Sequence, residues 1–383
     1  MSEGSGSGWH EDGPELEELR ARIDGVDREI IERLNRRVEL AARVGRVKHA
    51  KGNPVYAPDR EERVFAHLEE INGGPLRASA LRAIYREIIS ASISLEEELV
   101  IGFLGPEATY THQAARKNFG SSLRYKAYPL IADVFAAVEA GEAHYGVIPI
   151  ENSSEGGVFH SMDLLAETEL KIVAEIYLPI EHCLIGEGAL EQVEEVASKD
   201  QALGQCRGWL RRNLPQARQV EASSTAEAVR RVRGEPTKAA VAGALAAELY
   251  GAKILARGIQ DKADNVTRFL IVGQCAATRR TGEGGKTSLV FSIPDEVGAL
   301  EKALAPFSNR GINLTKIESR PNRQKLWNYL FFIDFAGHWE DTGVREALAE
   351  LREVCPMVKW LGSYPDMRAA PGGQRAPMQP DEG

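Results

Sequence analysis

A chain of 383 residues is long enough for roughly two to four domains, and its 43% hydrophobic and 27% charged residues describe an ordinary folded protein. A formal net charge of −9 argues against nucleic acid or an anionic membrane as the main partner, but leaves room for a small anionic substrate held by a local arginine cluster. No apolar run is long enough to cross a bilayer, and the opening "MSEGSGSGWHEDG" lacks the basic-then-apolar order of a secretory signal, so a cytoplasmic location is expected.

Cys183, Cys206, Cys275 and Cys355 are widely spaced, with no C-x-x-C pair and no histidine at zinc-site spacing. That pattern speaks against structural metal and against a disulfide framework. There is no P-loop and no G-x-G-x-x-G, so no organic cofactor is expected.

Residues 1–13 are Gly/Ser-rich and acidic and read as a disordered tail. Leu16, Leu19, Ile23, Val26, Ile30, Leu34, Val38 and Ala41 then recur at steps of three and four. The spacing predicts a helix from about Glu15 to Lys51, ended by "GNP". Helices over about Asp59–Asn72 and Leu76–Glu98 complete an all-α segment, 14–98. On it, Arg20, Arg37, Lys48, Arg60 and Glu61 stand out; taken singly, such residues usually form a solvated outer face. Their spacing says more. Arg37 and Lys48 differ by about 20° around the helix and ~16 Å along it, so they can flank one pocket. Arg20 and Lys48 are ~42 Å apart on a straight helix, too far for one small site. A shared site therefore needs Arg20 from another chain, which implies an intertwined dimer.

At Leu99 the pattern changes to short β-rich runs such as "LVIGFLG", "YGVIPI" and "TRFLIVG", alternating with helical stretches. Residues 99–276 are expected to be α/β with largely parallel sheets. Polar clusters follow strand ends at "GPEATYTHQAA", "PIENSSEGG" and "ASKDQALGQC", the usual place for a ligand in such sheets. "IQDKADNVTRFLIVG" brings Thr267 and Arg268 to the start of a last strand. A linker over 277–286 leads to a strand–helix–strand–strand–helix–strand order over 287–365, the α+β ferredoxin-like plan. Residues 366–383 read as a second disordered tail.

The first segment resembles the all-helical chorismate mutases over residues 15–98, through "LRARIDGVDREIIERLNRRVELAARVGRVK", "DREERV" and "SASISLEEEL". The resemblance implies that a partner's Arg20, with Arg37 and Arg60, holds the carboxylates of chorismate. Lys48 would donate to the ether oxygen, Glu61 would bind the hydroxyl, and Ser92 would line the pocket. Such a rearrangement needs no nucleophile. It needs a dianion held in its reactive shape and charge stabilised on the ether oxygen, tasks suited to arginine forks and a fixed lysine. Glu96 stands where many relatives carry glutamine. A carboxylate there would repel the developing charge, so Glu96 is expected to work protonated. Ala57 stands where some relatives place aspartate and is assigned no role.

"PIENS", "QC" and "TRF" in this order resemble prephenate dehydratases over residues 100–275. The family fold is two-lobed and periplasmic-binding-protein-like, with substrate in the cleft. By resemblance Glu151, Asn152, Ser153, Ser198 and Gln205 surround the substrate, and Thr267 positions or protonates the departing hydroxyl. Arg268 reads equally as a carboxylate ligand or as part of a structural ion pair. None of the eight histidines reads as a general base. Ser198-Lys199-Asp200 departs from the common Ser-His-Pro, and Ala108 replaces a common glycine.

"GAL" and "ESRP" resemble the ACT domain, with phenylalanine as effector between paired domains. The residues implied are Gly298, Ala299, Leu300, Asn313, Glu318 and Ser319, the helix start supplying free N–H groups for a carboxylate. Together the resemblances imply a bifunctional enzyme converting chorismate to prephenate and then to phenylpyruvate, as a homodimer or higher homo-oligomer, without metal or cofactor. The alternatives are a dehydratase whose helical segment only dimerises, and a non-catalytic intracellular small-molecule sensor. Arogenate in place of prephenate is a further possibility.

Overall fold

The computed structural model describes residues 14–50, 54–277, 285–321 and 329–369. The expected tail over 1–13, most of the expected C-terminal tail and linker residues 278–284 lie outside these ranges.

Three helices come first: α1 (Pro14–Ala50), α2 (Pro58–Ile71) and α3 (Ala78–Glu96). The 37 residues of α1 span ~55 Å and run through both Gly25 and Gly45. Within the chain α1 packs chiefly on α3. Its predicted apolar stripe is consequently left open: Leu16, Leu19, Ile23, Val26 and Ile30 are all exposed, as are Leu40, Val44 and Val47.

The first lobe follows, with β1 (Val100–Leu104), α4 (Tyr110–Phe119), β2 (Arg124–Tyr128), α5 (Ile131–Glu139), β3 (Tyr145–Asn152), β4 (Gly156–Gly157), α6 (Phe159–Glu167) and β5 (Lys171–Pro179). The chain then crosses to a second lobe, made of β6 (Cys183–Gly186), β7 (Glu195–Ser198), α7 (Asp200–Gln205), α8 (Arg207–Asn213), β8 (Arg218–Glu221), α9 (Thr225–Val232), β9 (Lys238–Ala242), α10 (Ala244–Tyr250) and β10 (Lys253–Ala256). It returns as β11 (Val266–Gly273), which inserts between β3 and β5. The sheet orders are β2-β1-β3-β11-β5, with β4 on β3, and β10-β6-β9-β7-β8.

The expectation of largely parallel sheets needs correction. β1 pairs in parallel with β2 and β3, and β7 with β8 and β9. However, β11 is antiparallel to both its neighbours, and β6 is antiparallel to β9 and β10. The reason is the double crossing: a chain that leaves one sheet and comes back enters it in the opposite sense. The two crossings lie side by side, with Ile180 N–H donating to Asn265 O at 2.8 Å and Ile259 N–H to His182 O at 3.0 Å.

The last unit is β12 (Gly285–Ser292), α11 (Ala299–Ser308), β13 (Leu314–Pro321), β14 (Tyr329–Ala336), α12 (Thr342–Val354) and β15 (Met357–Pro365), with sheet order β13-β14-β12-β15. This is the predicted ferredoxin-like plan. Strand alternation divides its apolar residues between two cores. Leu289, Phe291, Ile333 and Phe335 pack under α11 and α12, whereas Val290, Phe332, Leu361 and Tyr364 pack on Ile150, Met162, Ile172 and Leu270 of the first lobe. The sheet therefore docks face-on against the strands that carry "PIENS" and "TRF".

At that junction is a buried ionic cluster. Arg268 Nε donates to Glu175 at 2.8 Å, its Nη1 to Asp334 at 2.6 Å and its Nη2 to the Tyr364 hydroxyl at 3.0 Å. Lys286 Nζ lies 2.6 Å from Glu175 and 3.2 Å from Asp366, while Ser288 donates to Asp334 at 2.5 Å. Burial by itself would raise the Asp334 carboxyl, but Arg268 and the Ser288 hydroxyl hold it below its usual range. Two boundary expectations change here. Lys286, read as linker, is a buried residue of β12, and Asp366, read as tail, neutralises it. Removing one member of such a cluster leaves its partners' charges buried without compensation. Arg268→Met should lower unfolding stability by about 3–5 kcal/mol in urea titration. Lys316→Met, which removes a partly exposed pair with Glu151, should lower it by about 1 kcal/mol or less.

Candidate active sites

In the helical unit, two α1 cations face two α3 residues one helical turn apart. Arg37 Nη1 donates to Ser92 Oγ at 3.1 Å, and Ser92 in turn donates to Ile88 O at 2.7 Å. Lys48 Nζ reaches Val55 O at 3.4 Å, and its charge is felt by Glu96. Glu96 lies directly over Gly45, where an added Cβ would come within 2.2 Å of Glu96 Oε2. Gly45 is thus the close-approach point that lets α3 present this carboxyl to Lys48. Burial raises the Glu96 carboxyl, with Lys48 opposing. Arg60 is exposed. Arg20 sits on the same continuous helix as Lys48, ~42 Å away.

Glu61 is buried and already ion-paired through Oε2 with Arg86 of α3, a residue that sequence reasoning missed. The signal was present: Arg86 falls four residues before the buried Ser90 in "YREIIS", on the face of α3 that carries Ile89 and Ile93 into the core. Burial raises the Glu61 carboxyl against the opposing pull of Arg86.

In the two-lobed unit, the register pairs Thr267 with Asn152 and Arg268 with Glu151 across β11 and β3. Successive strand residues face opposite ways. Thr267 and Asn152 therefore share a polar network, while Arg268 and Glu151 turn to the C-terminal sheet. Asn152 Nδ2 donates to Thr267 Oγ1 at 2.7 Å and to Asn265 Oδ1 at 2.8 Å. Asn152 Oδ1 accepts from Ser154 N–H and Glu155 N–H at 2.9 and 3.1 Å, shaping the turn after β3. With both amide protons of Asn152 committed, Thr267 Oγ1 is an acceptor in this bond, and its own proton is not used there. From the second lobe, Gln205 Oε1 accepts from Asn265 Nδ2 at 3.0 Å and lies 2.8 Å from His182 Nε2. Gln205 Nε2 points to Glu155 Oε1 at 3.4 Å.

The structure thus brings Asn152, Thr267 and Gln205 into one network and adds Asn265, Glu155 and His182, which sequence reasoning does not single out. Four expected substrate contacts have partners within the protein. Ser198 is fully buried, with its hydroxyl donated to Val241 O at 2.6 Å, so it ties β7 to β9. Ser153 staples the return crossing, donating to Asp264 O at 3.1 Å and accepting from Val266 N–H at 3.0 Å. Glu151 pairs with Lys316 of β13 at 2.7 Å. Arg268, open to two readings from sequence, lies in the buried ionic cluster. Ala108 carries the left-handed φ of 66° that suits the glycine it replaces, and its N–H donates to His112 Nδ1 at 3.0 Å.

In the last unit, Gly298 caps α11 at φ 81°, with Ala299 buried and Leu300 packed at the edge of the core beneath the helix. Asn313 O accepts from Ala336 N–H at 2.9 Å. Glu318 and Ser319 are neighbours on β13 and face opposite sides of the sheet. Glu318 shares its side with Lys316 and Arg320. Arg320 holds both oxygens of Asp163 on α6, each at 2.9 Å.

Three units with these sites define a multidomain enzyme: a helical mutase, a two-lobed dehydratase and an ACT module. Residues 19–97 match chorismate mutase type II, residues 101–277 match prephenate dehydratase and residues 287–353 match the ACT domain. The bifunctional chorismate mutase/prephenate dehydratase of Aquifex aeolicus (strain VF5) is 46% identical over 356 residues, covering 92% of this chain and 98% of that one. The chain belongs to the bifunctional chorismate mutase/prephenate dehydratases, and it carries both activities. A crystal structure of prephenate dehydratase from Arthrobacter aurescens in complex with L-Phe is 36% identical, covers 70% of this chain and 90% of that one, and superimposes with a TM-score of 0.65. The structure of GqqA, described as a novel type of quorum quenching acylase, is 34% identical over 70% of this chain and 97% of its own, with a TM-score of 0.64.

If Glu96 faces the substrate's ether oxygen it serves the mutase only when protonated, because a carboxylate would oppose the charge growing there. Mutase kcat should be flat below the raised Glu96 pKa and fall as pH rises through it. Glu96→Gln, measured over the same pH range, should abolish that alkaline fall.

Proposed function

We propose that the two activities run in sequence on one polypeptide and are restrained by phenylalanine at the ACT domain. The helical unit, taken as residues 14–98, holds chorismate between Arg37, Arg60 and Lys48, with Arg20 of a second protomer closing the site. The α1 geometry supports this. A ~55 Å helix with an uncovered apolar stripe needs a partner, and Arg20 lies too far from Lys48 to serve the same pocket in cis. The active species is then a homodimer or a larger homo-oligomer built from it, working in the cytoplasm.

In the dehydratase unit, residues 99–276, prephenate lies against Asn152, Thr267 and Gln205. The ring carboxylate leaves as CO₂, its bonding electrons enter the ring, and the C–O bond to the hydroxyl breaks to complete the aromatic product. One proton is taken up as the hydroxyl departs as water. Aromatisation supplies the driving force, so a neutral hydroxyl donor suffices. The observation that carries this reading is the Thr267 proton left available by Asn152.

Phenylalanine acts by binding one arrangement of the ACT domain better than another. The relative solved with L-Phe supports the effector's identity. The pairs Lys316–Glu151 and Arg320–Asp163 support a short route to the dehydratase, because they bracket the segment containing Asn152.

Purified protein given chorismate alone should form phenylpyruvate, and added phenylalanine should suppress its formation. Chorismate left untouched while added prephenate is converted would reduce the helical unit to a dimeriser. Conversion of neither would favour a binding protein. A second measurement addresses the shared site. Arg20→Ala and Lys48→Ala should each abolish mutase turnover, yet subunit exchange between them should restore about one quarter of wild-type sites, since half of the dimers are mixed and each has one intact pocket.

A further inference from the structure

We propose that His182 is a positioning residue for the dehydratase reaction, holding the Gln205 amide across the crossing between the two lobes. The proposal rests on the reading of the Asn152–Thr267–Gln205 cleft as the prephenate site.

His182 lies in the segment joining β5 to β6 and is buried, at 2% exposure. Both ring nitrogens are engaged. Nε2 is 2.8 Å from Gln205 Oε1, and Nδ1 is 2.7 Å from the Tyr110 hydroxyl. An amide oxygen can only accept, so Nε2 carries the proton. In the neutral ring Nδ1 then presents a lone pair to the Tyr110 hydroxyl, whose one proton is shared with Glu181 O at 3.1 Å. Burial favours this state: it pushes the imidazole below its usual value, with the Gln205 hydrogen bond opposing, and it keeps the Tyr110 phenol protonated. The Gln205 oxygen, which can only accept, sets this tautomer of His182.

The elements joined by this chain explain why the arrangement matters. Tyr110 opens α4 in the first lobe, His182 lies on the outgoing crossing, and Gln205 ends α7 in the second lobe. Asn265 lies on the return crossing, and Asn152 and Thr267 close the path in the first lobe. The backbone of His182 is held too, with its N–H donated to Gln260 Oε1 at 2.9 Å and its carbonyl accepting from Ile259 N–H at 3.0 Å. Gln205 Oε1 therefore receives one hydrogen bond from each crossing. That fixes which face of the amide turns to the cleft and directs Nε2 toward Glu155. Without the His182 donor, the amide can rotate and the lobes lose a direct tie at their crossing.

The test uses the full-length protein, with prephenate turnover as readout and chorismate mutase turnover and thermal melting as controls. His182→Leu should lower dehydratase kcat about 10- to 100-fold, with a smaller change in KM and unchanged mutase turnover. His182→Gln, whose amide can replace the Nε2–H donor, should recover most of kcat. His182→Leu combined with Gln205→Leu should be no slower than Gln205→Leu alone, because a residue acting through Gln205 has nothing further to lose. Multiplying effects in the double variant would overturn the proposal, as would a kcat for His182→Leu within twofold of wild type. If His182→Leu melts below the assay temperature, the same cycle is run with Tyr110→Phe and Gln205→Leu, where multiplying effects would overturn the proposal equally. Failure of the wild-type protein to convert prephenate would instead refute the reading of the cleft.

Discussion

The rest of the molecule is organised around one buried guanidinium. Arg268 sits near the start of β11 with Glu175 on one side and Asp334 on the other, the first from the dehydratase and the second from the ACT sheet. Charges taken out of water are tolerable only where each is paired and hydrogen-bonded. Here Lys286, Asp366, Ser288 and Tyr364 complete the pairing. The cluster does not have to be the main source of stability to matter. It determines register and docking, because these contacts between cations and carboxylates of both units form only in this placement of the two sheets. With Arg268 turned to the ACT sheet, the next residue along the strand, Thr267, must turn the other way, to the cleft.

That alternation gives the dehydratase its architecture of control. Each strand bordering the cleft places one residue in the polar network and its neighbour on the regulatory side: Thr267 beside Arg268, and Asn152 beside Glu151. A shift of the ACT sheet by a fraction of an ångström would therefore reach the strands carrying the cleft residues through direct ionic contacts. Packed interfaces respond to such shifts by changing state rather than by bending smoothly. The mutase pocket is arranged differently. It lies on a long helix pair whose apolar stripe the single chain leaves uncovered.

The chemistry of both sites follows a common economy of means. Neither reaction needs a covalent nucleophile. At the mutase site the close approach over Gly45 sets Glu96 beside Lys48, and burial raises its carboxyl against the pull of that lysine. In the dehydratase cleft, Asn152 donates to the Thr267 hydroxyl oxygen, so the hydroxyl acts as acceptor in that bond. In each case an ordinary residue acquires its role from the group beside it.

The sequence by itself determined the three units, the helix periodicity, the ferredoxin-like order and the motifs, since each is written in residues near one another along the chain. Arg37, Lys48 and Thr267 stand out in the sequence by type and spacing, and the structure pairs Arg37 with Ser92 and Thr267 with Asn152. What it could not determine was direction. Whether Ser198 opens to the cleft or bonds β9, whether Glu151 meets substrate or Lys316, and whether Arg268 binds a carboxylate ligand or Glu175 all depend on which face of a strand is covered, and by what. Those partners lie roughly 40 to 170 residues away in the chain. The same holds for His182, ordinary in "EHCLI" until two chain crossings bring Tyr110 and Gln205 to its two nitrogens. Tertiary structure decided these roles because a polar side chain takes its function from the groups it is buried against, and sequence proximity does not specify them.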